Sequence, residues 1–421
     1  EWTKECPSSR FAESGFMEPY NGFVKQLTSK PVVGVGWFTS PDNMVSQINR
    51  GILDFVGSAR ASIADPFLPN KILEGNEDDI RECIGCNICA SCYNQGIPVR
   101  CTQNPTMGEE WRRGWHPERI KKKTSDESIL IIGGGPAGLE AAMSLGKRGY
   151  EVTLAEKDKE LGGRINREIQ LPGMTSYSRV RDYRTHQINQ LENVNVFLDN
   201  EMTAQDIIDM EFEHVVIASG SSWELANIDE KAIPIEINEN SNLLTPDDVL
   251  NGAEVKGPVV IYDFDYYYMG GLIAELLSDQ GHSVTIVTPF ENISPWSFMS
   301  NELNEIKLRL NEKNIAIYTE SRFLSSNNNS MQIVNRFNGD KSSLEVATIV
   351  IVGTRKPNDS IYDELVQADR PNIKTIMKIG DVDAPGALCH AVYSGRLFAE
   401  YFGQEQPIDH MKLEYPVIQS F

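Results

Sequence analysis

The first sixty residues alternate short apolar runs with polar, turn-rich stretches. Residues 30–36 read as a buried strand closing on a glycine turn, 42–51 as a helix headed by Ser40 or Asp42, and 53–60 as a second strand. Strand, helix, strand in this rhythm predicts a parallel sheet. About two or three such units fit before the first cysteines, whereas a closed eightfold barrel takes roughly 250 residues. With Glu rather than Met at position 1, the segment reads as a fragment. The two strand ends, at Gly36 and at Gly57 to Arg60, suit a phosphate site in which backbone amides and one Arg meet the anion. Arg60 as an ordinary surface ion-pairing residue is the competing reading.

A second pattern begins after the polar stretch 121–128. Ile129 to Ile132 is an unbroken apolar strand, Gly133, Gly135 and Gly138 follow in Gly-x-Gly-x-x-Gly spacing, and a helix runs through Ala141 to Arg148. Glycines of this kind let a pyrophosphate approach the helix N-terminus, whose dipole favours an anion. The next strand ends on Glu156, eighteen residues past the last glycine, where an acid holds a ribose hydroxyl. Arg164 follows a Gly-Gly turn, placed to meet the adenine or its phosphates, and Asp381 sits in a late Gly-Asp that would return the chain to this first nucleotide site. A third pattern, strand 257–262 and a helix from Gly271, repeats the nucleotide-binding half with a changed loop. Asp263, Asp265 and three tyrosines stand there instead of glycines, and the following strand ends on Thr288 without an acid or an Arg. Carboxylates at that place repel a pyrophosphate, so this half is expected to be a scaffold that binds no nicotinamide cofactor.

Composition narrows the partners. A length of 421 residues allows about two to four domains. The net charge of −21 argues against nucleic acid or an anionic membrane as partner, and the run Lys121 to Lys123 reads as a solvated linker. No apolar run is long enough for a transmembrane helix. Cysteines then supply the chemistry: Cys83, Cys86 and Cys89 are three apart, and Cys101 follows twelve residues later. Three thiols on one tight loop with a distant fourth suit a 4Fe-4S cluster, whereas structural zinc more often uses two short Cys-x-x-Cys arms. Cys92 is a rival ligand by spacing and is read as a spare buried thiol; Cys6 and Cys389 carry no signal. With no signal peptide or apolar span ahead of these elements, reduced cysteines and a cytoplasmic setting are expected.

Taken together, the stretches 58–69, 82–89, 101–104, 112–117 and 181–184 resemble the trimethylamine dehydrogenase group, which includes dimethylamine and histamine dehydrogenases and lies within the Old Yellow Enzyme and 2,4-dienoyl-CoA reductase family. The resemblance covers essentially the whole chain. It implies an α/β chain made of the C-terminal part of a TIM (β/α)8 barrel followed by two Rossmann-like nucleotide-binding domains of the pyridine-nucleotide-disulfide oxidoreductase type. The expected domains are 1–115 for the barrel part and cysteine segment, 116–127 for a linker, 128–252 with 357–421 for the ADP- or FAD-binding domain, and 253–356 for the degenerate one.

Carried over by position, the resemblance makes Gly36, Ala59 and Arg60 the FMN contacts, and Cys83, Cys86, Cys89 and Cys101 the cluster ligands. The group's three-residue step favours Cys89 over Cys92. Gly133, Gly135, Gly138, Glu156, Arg164 and Asp381 become the ADP or FAD site. Trp2 and Tyr93 match aromatic walls of a cage for a cationic amine, and Glu5 matches an acid of the catalytic grouping. Trp37 departs from the family, where Arg is common. The implied activity is oxidative demethylation of a methylated amine through FMN and the cluster to electron-transferring flavoprotein, in a homodimer. An NAD(P)H-dependent enoate or dienoyl-CoA reductase, and a non-catalytic electron-transfer module, are the alternatives.

Overall fold

The computed structural model describes residues 6–225, 235–327 and 329–404. They form two compact units, one comprising residues 6–166, 176–220 and 357–404, the other 167–175 and most of 221–356.

The larger unit opens with two short parallel strands, β1 (Val33–Gly34) and β2 (Phe55–Val56), joined through α1 (Pro41–Asn49). The parallel pairing matches the sequence pattern; the strand lengths do not. Pairing stops at Val56, and Ala59 and Arg60 instead open α2 (Ala59–Ala64). An Ala-rich hexapeptide has higher helix than strand propensity, which a hydrophobic run alone does not register. Ser40 stands at the N-cap of α1 without a side-chain hydrogen bond, and Pro41 begins the helix. The cysteine segment follows, with one short helix, α3 (Ile88–Asn94), headed by Asn87 in the left-handed region at φ 55°.

A five-stranded parallel sheet forms the rest of this unit. β3 (Ile129–Ile132) leads to α4 (Pro136–Arg148), then come β4 (Val152–Ala155), α5 (Ser178–Asn189), β5 (Val194–Phe197), β6 (His214–Ile217), β7 (Thr375–Lys378) and α6 (Leu388–Tyr401). The strand order is β7-β6-β3-β4-β5, which puts β3 at the centre. All four residues of β3 are buried, as expected of a strand covered on both faces. Helix α4 is well specified locally: Pro136 fills its first position, Lys147 and Arg148 its last turn, and Gly149 closes it in the left-handed region.

In the smaller unit a parallel sheet runs in the order 316–318, 284–287, 259–263, 348–352, 243–244, beside an antiparallel hairpin sheet of strands 321–327, 330–335 and 341–345. Among the described residues, no helix is long and apolar enough to cross a membrane.

Candidate functional site

Cys83, Cys86, Cys89 and Cys101 border one cavity in the larger unit, with Arg60, Asn87 and Thr102 in its wall. Two chain segments are needed to make it, the loop leading into α3 and the stretch after it. All seven cysteines are free. Among the described residues no three His, Cys, Asp or Glu side chains are grouped so as to hold a metal ion alone; the four thiols line a space instead of converging on a point. Burial, with the neighbouring Cys83, pushes the Cys101 thiol up to about 11. Burial likewise raises Cys86 and Cys89, where Cys83 and Cys101 add their repulsion. Buried thiols such as Cys86, Cys89 and Cys101, held back from ionising, are poor anions alone and good ligands to a shared positive charge.

Hydrogen-bond donors are aimed at these sulfurs. The Trp37 indole N–H donates to Cys83 Sγ at 3.4 Å, as does the Gly85 amide at 3.3 Å, and the Thr102 hydroxyl lies 3.2 Å from Cys86 Sγ. Gly85 is required there: its φ is 67°, and a Cβ would come 2.6 Å from the Trp37 ring. Arg60 donates to the Pro7 carbonyl and to Asn87 Oδ1, both at 2.7 Å, with its guanidinium 5.6 Å from the Trp37 ring centre. The residue read as a phosphate partner thus stands in the thiol cavity wall. Asn87 in turn donates to the Cys6 carbonyl at 2.8 Å, so Cys6, which carried no signal in the sequence, lies beside this site. Cys92 is buried on α3 and does not border the cavity.

The other predicted residues fall as follows. Gly36 is buried just after β1, Ala59 is exposed at the start of α2, and Tyr93 is 68 % exposed on α3. Trp2 and Glu5 lie outside the described residues. Trp37, Asn87 and Thr102 are neighbours of the thiols that the sequence pattern does not mark; Asn87 and Thr102 lie within the cysteine stretches, whereas Trp37 is 46 positions from Cys83.

At the second candidate site the glycine loop joins β3 to α4. A Cβ on Gly138 would sit 1.9 Å from the Gly133 carbonyl, so the helix can approach the turn this closely only with glycine. Buried Glu156, just past β4, accepts from the Gly134 amide at 2.6 Å and the Asp158 amide at 2.9 Å. The turn holding Arg164 lies against the same loop, since the Gly162 amide donates to the Gly134 carbonyl at 2.8 Å. Gly380 approaches Ala137 at the head of α4, and the adjoining Asp381 accepts from the Gly386 amide at 3.1 Å. Gly133, Gly135, Gly138, Glu156, Arg164 and Asp381 therefore gather around one helix N-terminus.

In the smaller unit the equivalent loop closes on itself. Asp265 stands near the Tyr267 and Met269 amides at the head of helix Met269–Asp279, and burial raises its carboxyl above the usual carboxylate range. The Asp263 carboxyl is buried against Gly270, where a Cβ would meet it at 2.2 Å, and burial, followed by Asp265, raises it well above the usual carboxylate range.

Fold and site define a nucleotide-binding flavoprotein with a fragment of a flavin barrel ahead of it. Residues 127–382 match the pyridine nucleotide-disulphide oxidoreductase family and residues 4–79 the NADH:flavin oxidoreductase / NADH oxidase family. The chain belongs to the first of these families, in the branch where it follows a flavin oxidoreductase segment, that of dimethylamine and histamine dehydrogenases. It is 35 % identical to dimethylamine dehydrogenase of Hyphomicrobium sp. (strain x) over 98 % of this chain and 60 % of that protein. The structure of histamine dehydrogenase from Rhizobium sp. 4-9 superposes with a TM-score of 0.95 at 40 % identity, covering 100 % of this chain and 62 % of the other. That of 6-hydroxypseudooxynicotine amine oxidase from Pseudomonas geniculata N1 gives 0.93 at 42 % identity, covering 96 % and 61 %. The chain thus spans about six-tenths of the length of these relatives.

Proposed function

We propose that this chain is part of an iron-sulfur flavoprotein amine dehydrogenase acting on a methylated amine of the dimethylamine or trimethylamine kind. The observation that carries the reading is the meeting of Cys83, Cys86, Cys89 and Cys101 at one cavity. The donor set is all sulfur, it is supplied with N–H and O–H donors, and a cation stands in the wall, all of which fit a 4Fe-4S cluster. Gly133, Gly135, Gly138, Glu156, Arg164 and Asp381 would hold ADP or FAD, and Gly36, Ala59 and Arg60 the FMN phosphate. When bound, a flavin accepts the electron pair of an amine C–H bond and an iron-sulfur cluster passes electrons on singly.

The protein's own contribution is positional. Trp37, Gly85 and Thr102 favour the more negative charge state at the sulfurs, and Arg60 offsets part of that charge. Trp2 and Tyr93 would face the alkylammonium, each ring contributing about 0.5–2 kcal/mol, and Glu5 would serve the catalytic proton transfers. Asp263 and Asp265 stand in the loop where a nicotinamide dinucleotide would need glycines, which supports a reading in which the substrate is the electron source. Electron-transferring flavoprotein is the proposed acceptor, the assembly a homodimer, and the setting cytoplasmic.

The test is anaerobic titration of the full-length protein. Dimethylamine or trimethylamine should bleach the flavin absorbance, and NADPH should not. Bleaching by NADPH alone would replace this reading with that of a reductase.

A further inference from the structure

A buried ion pair joins the dinucleotide helix to the cysteine segment. Glu140 lies on α4, two residues past Gly138, and is fully buried. Its Oε2 accepts from Arg184 Nε at 2.7 Å and its Oε1 from the Ser144 hydroxyl at 3.1 Å. Arg184, on α5 and equally buried, donates to Gln103 twice, to Oε1 at 3.0 Å and to the backbone carbonyl at 3.1 Å, and to the Val180 carbonyl at 2.8 Å. Gln103 is the hub on the other side. It follows Cys101 by two residues and lines the thiol cavity. Its side-chain Nε2 donates to the Glu82 carbonyl at 2.9 Å and to the Arg179 carbonyl at 3.2 Å, while Arg179 Nη1 holds the Cys83 carbonyl at 2.9 Å.

One connected set of hydrogen bonds therefore runs from the first turns of α4 to both segments that supply the thiols. Buried ion pairs are weak contributors to stability, since apolar side chains of similar volume often serve as well or better. What such a pair adds is fixed direction. A ligand seated at the N-terminus of α4 suppresses opening of its first turns, and any opening shared with the cysteine segment is suppressed with it.

We propose that Glu140 and Arg184 are positioning residues through which an adenine nucleotide on α4 holds the cysteine loop in its cluster-binding shape. Nucleotide occupancy then tightens cluster binding and slows its loss, and by linkage the cluster tightens nucleotide binding by the same equilibrium factor. This rests on the reading that the chain holds both groups, and it gives the nucleotide a structural role apart from electron transfer.

The test uses the full-length protein, purified anaerobically and then depleted of nucleotide by gel filtration. Cluster loss to an iron chelator is followed by visible absorbance, with and without added ADP. ADP should slow the loss by about fivefold or more, the lower end of ordinary coupling between sites. In the double variant Glu140→Leu/Arg184→Met, which replaces the ion pair by apolar side chains, ADP should bind but give no protection. Should that variant not fold, Gln103→Ala removes the side-chain bonds to Arg184 and to the Glu82 and Arg179 carbonyls, leaves only the backbone one, and should cut protection at least severalfold. Glu156→Gln, which weakens the nucleotide site alone, should regain full protection at saturating ADP. Protection undiminished in the variant tested, or no protection in the unaltered protein, would overturn the proposal. Absence of an iron-sulfur chromophore or of ADP binding in the unaltered protein would instead overturn the functional reading beneath it.

Discussion

The Trp37 indole N–H points at the sulfur of Cys83, 46 positions further along the chain, at a distance of 3.4 Å. A donor at a thiolate stabilises the form carrying more negative charge, which in a cluster is the reduced one. Trp37→Phe keeps the ring beneath Arg60 and removes only the donor. The reduction potential should fall by on the order of tens of millivolts, a fraction of the ~1.5–3 kcal/mol of a charge-assisted hydrogen bond. Spectroelectrochemical titration measures it, and an unchanged potential would mean that the contact does not persist around a bound cluster.

Cys92 tests the ligand choice. It is buried on α3 away from the cavity that the other four thiols line. Cys92→Ser should retain iron and sulfide at the level of the unaltered protein, while Cys86→Ser should lose most of both. Iron analysis showing the reverse order would reassign the ligands.

Gly138 sets the approach of α4 to the glycine loop. Any side chain there collides with the Gly133 carbonyl, where a Cβ would sit at 1.9 Å. Gly138→Val should abolish binding of ADP or FAD and cost several kcal/mol if the strand and helix are forced apart. Calorimetry with ADP reads the first and urea unfolding the second; intact ADP affinity would show that the pyrophosphate is held elsewhere.

Lys147 gives the larger unit a pH dependence. Burial, and then the Arg81 guanidinium, hold its ammonium down to about 8. A base with a lowered pKa destabilises the fold while the unfolded chain keeps its proton: the penalty is full below pH 8, shrinks as pH rises, and is gone above the ordinary lysine range near 10.5. Lys147→Met should therefore stabilise the protein by up to a few kcal/mol at pH 7 relative to its effect at pH 10. Urea midpoints at the two values check this. Equal effects at both would show that the lysine finds solvent.

Much of the nucleotide site is legible in the sequence because its parts are local. Gly133, Gly135 and Gly138 sit on one turn, and Glu156 ends the neighbouring strand, so spacing alone nearly determines their geometry. The grouping of Cys83, Cys86 and Cys89 at one cavity is legible for the same reason. Trp37, Arg184 and Gln103 are not, since their contacts span tens of residues and depend on how segments pack; no local pattern marks them. Arg60 shows a second kind of limit. Its place after a strand end suggests a phosphate partner, and because the backbone turns helical at Ala59 its guanidinium also reaches Asn87 beside the thiols, a contact that spacing does not announce. In the smaller unit the acidic loop predicts repulsion of a pyrophosphate, and the fold adds that the Asp263 carboxyl is buried against Gly270.

In the proposed function the four-cysteine cavity drains a flavin of electrons taken from an amine. Low-temperature electron paramagnetic resonance of the full-length protein, frozen anaerobically after mixing with dimethylamine or trimethylamine, tests it most directly. The expected result is the signal of a reduced 4Fe-4S cluster together with loss of flavin absorbance, both absent after NADPH and the cluster signal absent in Cys86→Ser. A flavin bleached by the amine with no iron-sulfur signal, or a cluster reduced by NADPH alone, would contradict it.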